Sequence, residues 1–149
     1  MKIFIDADGC PVVSLCIEIA CKYGVESVAV CDYCHLLEYD NDLVRVITVD
    51  KGADSADLAI ANLISKEDIV VTQDYGLAAL CLGKGACVIN QNGLIYNNEN
   101  IDSLLLTRHI NKKIRRAGGK TTNAKKRIQQ QNHSFEVQLR NLLSIRVDK

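Results

Sequence analysis

Two carboxylates follow directly after the first apolar run of the chain. Residues 3–5 form the kind of short apolar run that is typical of a strand buried on both faces, and Asp6 and Asp8 come next. Because residues two apart on an extended chain point to the same side, we expect the two acids to lie side by side. Gly9 and Pro11 then predict a turn and the start of a helix close to the acids. Carboxylate oxygens of this kind suit hard cations such as Mg²⁺.

Further acids follow later strands of the predicted pattern. Asp54 and Asp57 lie at a helix start just beyond the third predicted strand, and Asp74 follows the fourth. In a parallel sheet the carboxyl ends of the strands meet at one edge, which is where ligands bind. Carboxylates clustered there would raise some of their own pKa values, and a bound cation would remove that cost. We therefore expect a Mg²⁺ or Mn²⁺ site held by Asp6, Asp8, Asp54, Asp57 and Asp74.

Structural roles are an alternative for some of these acids. Asp54 or Asp57 alone could be a helix N-cap, and Asp74 could be only a turn residue. Asp6 and Asp8 are harder to explain in this way, because two acids directly after a buried strand carry a desolvation cost. The functional interpretation depends on the convergence of all these side chains at one sheet edge.

Short apolar strands alternate with helical patterns along the chain, which predicts an α/β fold. The expected architecture is a doubly wound, mostly parallel five-stranded sheet with right-handed crossovers, flanked by helices. A basic helical tail follows it at the C-terminus. We predict that residues 1–117 form the α/β domain and that residues 118–149 form a basic extension, with a terminal helix, packed on the same domain. The predicted strands are residues 3–5, 27–31, 44–49, 68–72 and 86–90, and residues 94–96 are a candidate for a further short strand.

The formal net charge of zero conceals a strong asymmetry. Residues 1–106 contain 6 Lys and Arg against 16 Asp and Glu, whereas residues 107–149 contain 12 against 2. A basic tail on an acidic body predicts a nucleic-acid partner bound through phosphates, with an affinity that falls steeply with salt. A solvated surface that only balances the charge of the body is the alternative. The expected nucleic-acid contacts are Lys112, Lys113, Arg115, Arg116, Lys125, Lys126 and Arg127.

The cysteines and the hydropathy indicate a reducing compartment. Seven cysteines are an odd number, no export signal precedes the first strand, and no apolar run reaches the length of a membrane span. We expect reduced thiols, a cytoplasmic location and no membrane partner.

Cys31, Cys34 and His35 match the haem-attachment pattern C-x-x-C-H, but that modification needs export, and a zinc site would need a second ligand pair. A coincidental pair at a strand end is the preferred interpretation.

Four motifs together resemble the YaiI/YqxD family of bacterial proteins, whose domain looks like the PIN-like nucleases. The resemblance runs over nearly the whole chain, and Gly9 stands where the family often has alanine. The motifs are Ile-Asp-Ala-Asp-Gly-Cys-Pro-Val at 5–12, Asp-Lys-Gly-Ala-Asp-Ser-Ala-Asp at 50–57, Val-Val-Thr-Gln-Asp-Tyr-Gly-Leu-Ala at 70–78 and Arg-Arg-Ala-Gly-Gly at 115–119.

The resemblance implies a PIN-like sheet whose acids form a catalytic site, with one or two divalent metal ions, for the hydrolysis of a phosphodiester in RNA or DNA. By position, Asp6 resembles the central ligand with Asp8 as its neighbour, Asp54 and Asp57 resemble the helix-borne acids, and Asp74 resembles the acid after the fourth strand. Metal bound there would activate a water and stabilise the leaving oxygen. Single-stranded or structured RNA is the preferred substrate, although no residue distinguishes RNA from DNA.

Two other functions compete with this one. The stretch Ile-Asp-Ala-Asp-Gly is similar to the first motif of haloacid-dehalogenase-type phosphatases, but the serine or threonine motif and the lysine of that family do not follow in the right order. The other alternative is a PIN-like module that binds nucleic acid or protein without catalysis. Metal affinity discriminates between this module and the nuclease, because a binding module need not hold magnesium.

Overall fold

The chain folds into three layers, with one sheet between two groups of helices. The computed structural model describes residues 1–32, 39–52, 55–120 and 126–148. Within these residues the strands are β1 (Lys2–Asp6), β2 (Glu26–Cys31), β3 (Val44–Thr48), β4 (Ile69–Val71), β5 (Cys87–Ile89) and β6 (Ile95–Tyr96). The helices are α1 (Val13–Lys22), α2 (Ser55–Leu63), α3 (Tyr75–Gly83), α4 (Asn98–Arg116) and α5 (Gln129–Val147).

The strand order in the sheet is β3-β2-β1-β4-β5-β6. The first five strands run parallel, as predicted, and β6 adds a sixth strand antiparallel to β5. The predicted α/β fold is therefore confirmed, and the candidate short strand at residues 94–96 forms β6, the sixth strand beside the five of the predicted sheet. The chain leaves β1 toward β2 on one side, and β4 then pairs with the other side of β1. The order in which successive strands join the sheet therefore reverses between β1 and β4, and ligands of doubly wound folds bind beyond the strand ends at such a point.

Each face of the sheet carries its own apolar core. Alternate residues of β1 point to opposite faces: Ile3 and Ile5 pack with helices α1 and α5, whereas Phe4 packs with α2, α3 and α4. All three β1 side chains are buried, as are the matching residues of β4. Strands buried on both faces explain why the sequence shows continuous apolar runs here and no alternation.

The basic extension is part of the core. Helix α5 places Phe135, Leu139 and Leu143 in the cluster that covers one face of the sheet, and all three are fully buried. Just before α5, the Arg127 guanidinium donates hydrogen bonds to Asn92 Oδ1 at 2.6 Å and to the Gln91 carbonyl at 2.7 Å. These contacts fasten the start of α5 to the turn between β5 and β6.

The six described cysteines are free thiols, three of them buried. Cys34 and His35, the other half of the C-x-x-C-H pattern, lie outside the described residues. Across the described ranges, no helix combines the length and the apolar character needed to cross a membrane.

Gly93 occupies a position where a side chain would collide with the backbone of α5. Its φ is +89°, and a Cβ there would lie 2.6 Å from the Ser134 carbonyl oxygen. We expect Gly93→Ala to lower the free energy of unfolding by about 1–3 kcal/mol, because strain at positive φ adds to the clash. Chemical denaturation measures the change.

Gly83→Ala is the matched control for this prediction. Gly83 ends helix α3, lies outside the positive-φ region, and has open space where a Cβ would be built. Alanine should be neutral there or stabilise by about 0.4–1 kcal/mol. Equal changes in the free energy of unfolding for Gly93→Ala and Gly83→Ala would show that the close approach of Gly93 to Ser134 does not restrict residue 93 to glycine.

Candidate functional site

An acidic cleft of about 250 Å³ lies at the carboxyl edge of the sheet, where the strand order reverses. Its acids come from four places in the chain. Asp6 ends β1, Asp8 follows in the next loop, Asp32 follows β2, Asp57 lies in the first turn of α2, and Asp74 follows β4. The structure thus brings together four of the five predicted acids, and Asp54 lies outside the described residues.

Thr72 connects the acids at the reversal point. Its hydroxyl donates to Asp6 Oδ2 at 2.8 Å and accepts from the backbone N–H of Asp74 at 3.0 Å. Thr72 is itself buried. Because one hydroxyl both donates and accepts here, its proton is directed at the Asp6 carboxylate. Thr72 is therefore a positioning residue that fixes Asp6 relative to the turn bearing Asp74.

Asp74 is the N-cap of helix α3. Its Oδ1 accepts from the backbone N–H of Leu77 at 3.0 Å, a helix-capping role where the sequence indicates a turn residue as the structural alternative. The cap uses one carboxylate oxygen. Capping and participation in the acidic cleft are therefore combined in one side chain.

Two further hydrogen bonds join the loops around the cleft. Asp8 Oδ2 accepts from the backbone N–H of Asp32 at 2.8 Å, which ties the loop after β1 to the end of β2. The Gln73 side-chain amide donates to the Gly9 carbonyl at 3.0 Å, which ties the same loop to the end of β4. Gly9 has φ +70°, a backbone conformation that favours glycine. The cleft is built on loops that are fixed to one another.

The Asp6 carboxyl is held in an unfavourable environment for its charge. Burial raises the pKa of Asp6, the hydrogen bond from Thr72 opposes this, and the nearby charges of Asp74 and Asp8 raise the pKa further. In the described part of the chain neither Asp6 nor Asp74 forms an ion pair with a lysine or arginine. Ionised Asp6 therefore opposes folding when no cation is bound.

This environment predicts that Asp6→Asn stabilises the protein without metal at neutral pH. The raised pKa means that the folded protein binds the Asp6 proton more tightly than the unfolded chain does. Stability is therefore lost as the pH rises above the ordinary aspartate pKa of about 3.9 and through the folded value. We expect the melting temperature of Asp6→Asn in EDTA at pH 7 to exceed that of the wild type by about 2–4 °C. The difference should vanish below about pH 4, and a difference independent of pH would contradict the assignment.

A basic groove of about 580 Å³ lies along helix α4, beside the cleft. Tyr75, which directly follows Asp74, lines it and contacts Tyr96 edge to face, with ring centres 6.2 Å apart. The polar and charged side chains of α4 that line it are Thr107, Arg108, Asn111, Lys112, Arg115 and Arg116.

The predicted nucleic-acid contacts divide into separate groups. Three of them, Lys112, Arg115 and Arg116, line the basic groove, whereas Lys113 is exposed on the same helix outside its lining. Lys126 is exposed, and Lys125 lies outside the described residues. Arg127 instead donates hydrogen bonds inside the protein, as described above.

Sequence reasoning missed three residues. Asp32 follows a buried strand as Asp6 does, so the same strand-end rule could have found it. For Thr72 the only sequence signal is its position two residues before Asp74, at the end of a buried strand. Arg108 lies within the basic stretch 107–149 but is not among the expected contacts, and only the packing of α4 places it by the cleft.

The acids do not form a compact ligand group in this arrangement. Among residues 1–32, 39–52, 55–120 and 126–148, no group of three or more His, Cys, Asp or Glu side chains is arranged so that it could hold a metal ion. The donor chemistry still suits a hard cation, since every acid lining the cleft offers carboxylate oxygens. Cys10 adds no nucleophile, because burial, and also the charge of Asp6, raise the pKa of its thiol.

Comparison with known proteins identifies the family. A family model described as the uncharacterised YaiI/YqxD family matches residues 4–145. A UPF0178 protein of Ruminiclostridium cellulolyticum is 50% identical over 136 residues, covering 91% of this chain and 88% of the relative. A UPF0178 protein of Exiguobacterium sibiricum is 49% identical over 148 residues, covering 99% of this chain and 100% of the relative. No solved structure matches the chain. The resemblance carried by the motifs is confirmed, and the chain belongs to the YaiI/YqxD family.

Proposed function

We propose that the protein is a divalent-metal-dependent nuclease that hydrolyses phosphodiester bonds at the acidic cleft. One observation carries the proposal: the acidic cleft and the basic groove are neighbours joined through shared residues. Asp57 and Asp74 line both the cleft and an adjoining pocket, and Arg108 lines both that pocket and the groove. A polyanion held in the groove would therefore reach the carboxylates.

Mg²⁺ or Mn²⁺ would be held by the five acids that line the cleft, which are Asp6, Asp8, Asp32, Asp57 and Asp74. Three of them already accept a hydrogen bond from an uncharged donor on one carboxylate oxygen, and such bonds orient metal ligands. A cation would also relieve the repulsion that raises the Asp6 pKa. When bound, metal supplies an activated water and stabilises charge on the leaving oxygen.

The chain's own residues contribute binding and orientation. An acidic cleft repels a phosphodiester, so the cations of the groove must supply the attraction. Lys112 and Arg116 make no hydrogen bond or ion pair through their side chains with the described residues, so these cations are available for phosphates. Thr72 would keep Asp6 in place as the charge of the site changes.

A non-catalytic nucleic-acid-binding module is the second candidate function. The lack of a compact three-ligand group among the described residues favours it, since a binding module has no need of one. Both functions use the basic groove, so nucleic-acid binding alone does not separate them.

A cleavage assay tests the proposal. We expect the wild-type protein to cut end-labelled single-stranded RNA or DNA with Mn²⁺ or Mg²⁺ and to lose this activity in EDTA. Lys112→Ala/Arg116→Ala should raise KM more than it lowers kcat, because these groove cations bind substrate away from the carboxylates. Binding of both nucleic acids without cleavage at millimolar metal would instead establish the non-catalytic module.

A further inference from the structure

A pocket of about 310 Å³ adjoins the acidic cleft and differs from it in character. Asp57 and Asp74 form the wall that it shares with the cleft. Leu58 on α2 and Leu80 on α3 form an apolar wall, and Arg108 on α4 adds a cation. Apolar surface, one cation and two carboxylates therefore meet in one small space.

The two leucines are notable for their exposure. Leu58 is 58% exposed and Leu80 is 55% exposed, although both flank a charged cleft. Exposed apolar side chains occur singly on most proteins, but a pair facing one pocket beside charged groups is a feature of binding sites. A flat, weakly polar group of a ligand would cover the exposed side chains of Leu58 and Leu80.

The charge of Arg108 has no partner among the residues that the structure describes. In the described part of the chain its guanidinium makes no hydrogen bond and no ion pair, although Asp57 and Asp74 line the same pocket. An arginine in this position can bind an anion with two parallel hydrogen bonds, and phosphate matches that geometry. Because Arg108 also lines the basic groove, it lies where a nucleic-acid strand would pass from the groove to the carboxylates.

We propose that this pocket binds one unpaired nucleotide of the substrate, with its base against Leu58 and Leu80 and its phosphate on Arg108. The inference rests on the proposed function, because it places the nucleotide next to the phosphodiester that is cut. The volume lies at the lower end of the range for ligand pockets, which fits one nucleotide and not a duplex. The substrate class is therefore single-stranded nucleic acid, and Arg108 is a substrate-binding residue.

Equilibrium binding in EDTA tests the inference without cleavage. The probes are a fluorescent single-stranded oligonucleotide, a hairpin duplex of the same sequence, and a strand of abasic sugar-phosphate units of equal length. We expect the wild type to bind the single strand more tightly than the other two at low salt. Arg108→Ala should weaken single-strand binding about tenfold, which corresponds to about 1.4 kcal/mol. It should also reduce the slope of log affinity against log salt by about 0.7, the value for one phosphate contact.

Matched variants separate the base contact from general charge. Lys113→Ala removes one positive charge from the same helix outside the pocket and groove lining, and it should change affinity less than Arg108→Ala does. Leu58→Ala/Leu80→Ala should weaken binding of the base-containing strand, leave the abasic strand unaffected, and keep the salt slope. Leu106→Ala is the control for this double substitution, because Leu106 is also exposed but lies on α4 outside the pocket.

Several results would overturn the inference. These are equal losses for Arg108→Ala and Lys113→Ala, equal binding of the normal and abasic strands, duplex binding as tight as single-strand binding, or no binding by the wild type at low salt. The result remains interpretable if the nuclease proposal fails, because binding is measured without metal. If the protein binds single strands through this pocket but never cleaves them, the nucleotide-site inference stands and the nuclease proposal is wrong.

Discussion

Asp6→Asn should lower the rate of Mn²⁺-dependent cleavage by about a thousandfold, because loss of about 4 kcal/mol of metal-derived stabilisation has that effect. Asp6 ends the central strand of the sheet, and the pKa of its carboxyl is raised by burial and by the charges of Asp74 and Asp8. Asparagine keeps an oxygen that can accept from Thr72 but removes the charge that a metal ion needs. Single-turnover cleavage of a labelled oligonucleotide measures the loss.

Asp40→Asn provides the matched control for this substitution. Asp40 is exposed and does not line the cleft, so its charge should not affect cleavage. Asp6→Asn should also melt no lower than the wild type, which separates loss of activity from loss of fold. Cleavage by Asp6→Asn at a rate close to that of the wild type would remove Asp6 from the catalytic site.

The largest expected effect on stability comes from the basic extension. Phe135→Ala should lower the free energy of unfolding by about 3–5 kcal/mol, because it leaves a cavity in a core where the side chain is fully buried. The cluster around it contains Ile3 and Ile5 of the central strand, so the loss should affect the whole domain in one transition. Denaturant unfolding of the full chain measures it.

Ile145→Ala is the control for Phe135→Ala on the same helix. Ile145 is 62% exposed, so its truncation should change the free energy of unfolding by less than about 0.5 kcal/mol. A mild effect of Phe135→Ala, or a separate transition for the extension, would show that residues 126–148 are not part of the core.

The sequence was sufficient to predict the parallel sheet. Strands buried on both faces leave continuous apolar runs, and β1, β2 and β4 have this composition because helices cover both sides of them. Acids that directly follow such runs must lie at the carboxyl edge, so Asp6 and Asp74 could be placed together without a structure. The two-residue strand β6 lies within residues 94–96, a run so short that the sequence marks it only as a candidate strand.

The rest of the site depends on packing between distant segments. Thr72 acquires its role only because β4 pairs with β1, which puts its hydroxyl 2.8 Å from a carboxylate 66 residues away. Arg108 is one of many exposed cations in the sequence, and only the position of α4 beside α3 places it next to Asp74. Arg127 shows the opposite case, since it belongs to the basic run in sequence but its hydrogen bonds with the protein give it a structural role.

Calorimetric titration of Mn²⁺ into the wild-type protein and into Asp6→Asn, at one fixed salt concentration, decides whether the acidic cleft is a metal site. We expect saturable binding by the wild type, none by Asp6→Asn, and unchanged binding by Asp40→Asn. Lack of binding by the wild type at millimolar Mn²⁺ would leave the acids as capping and turn residues and would contradict the metal-dependent function.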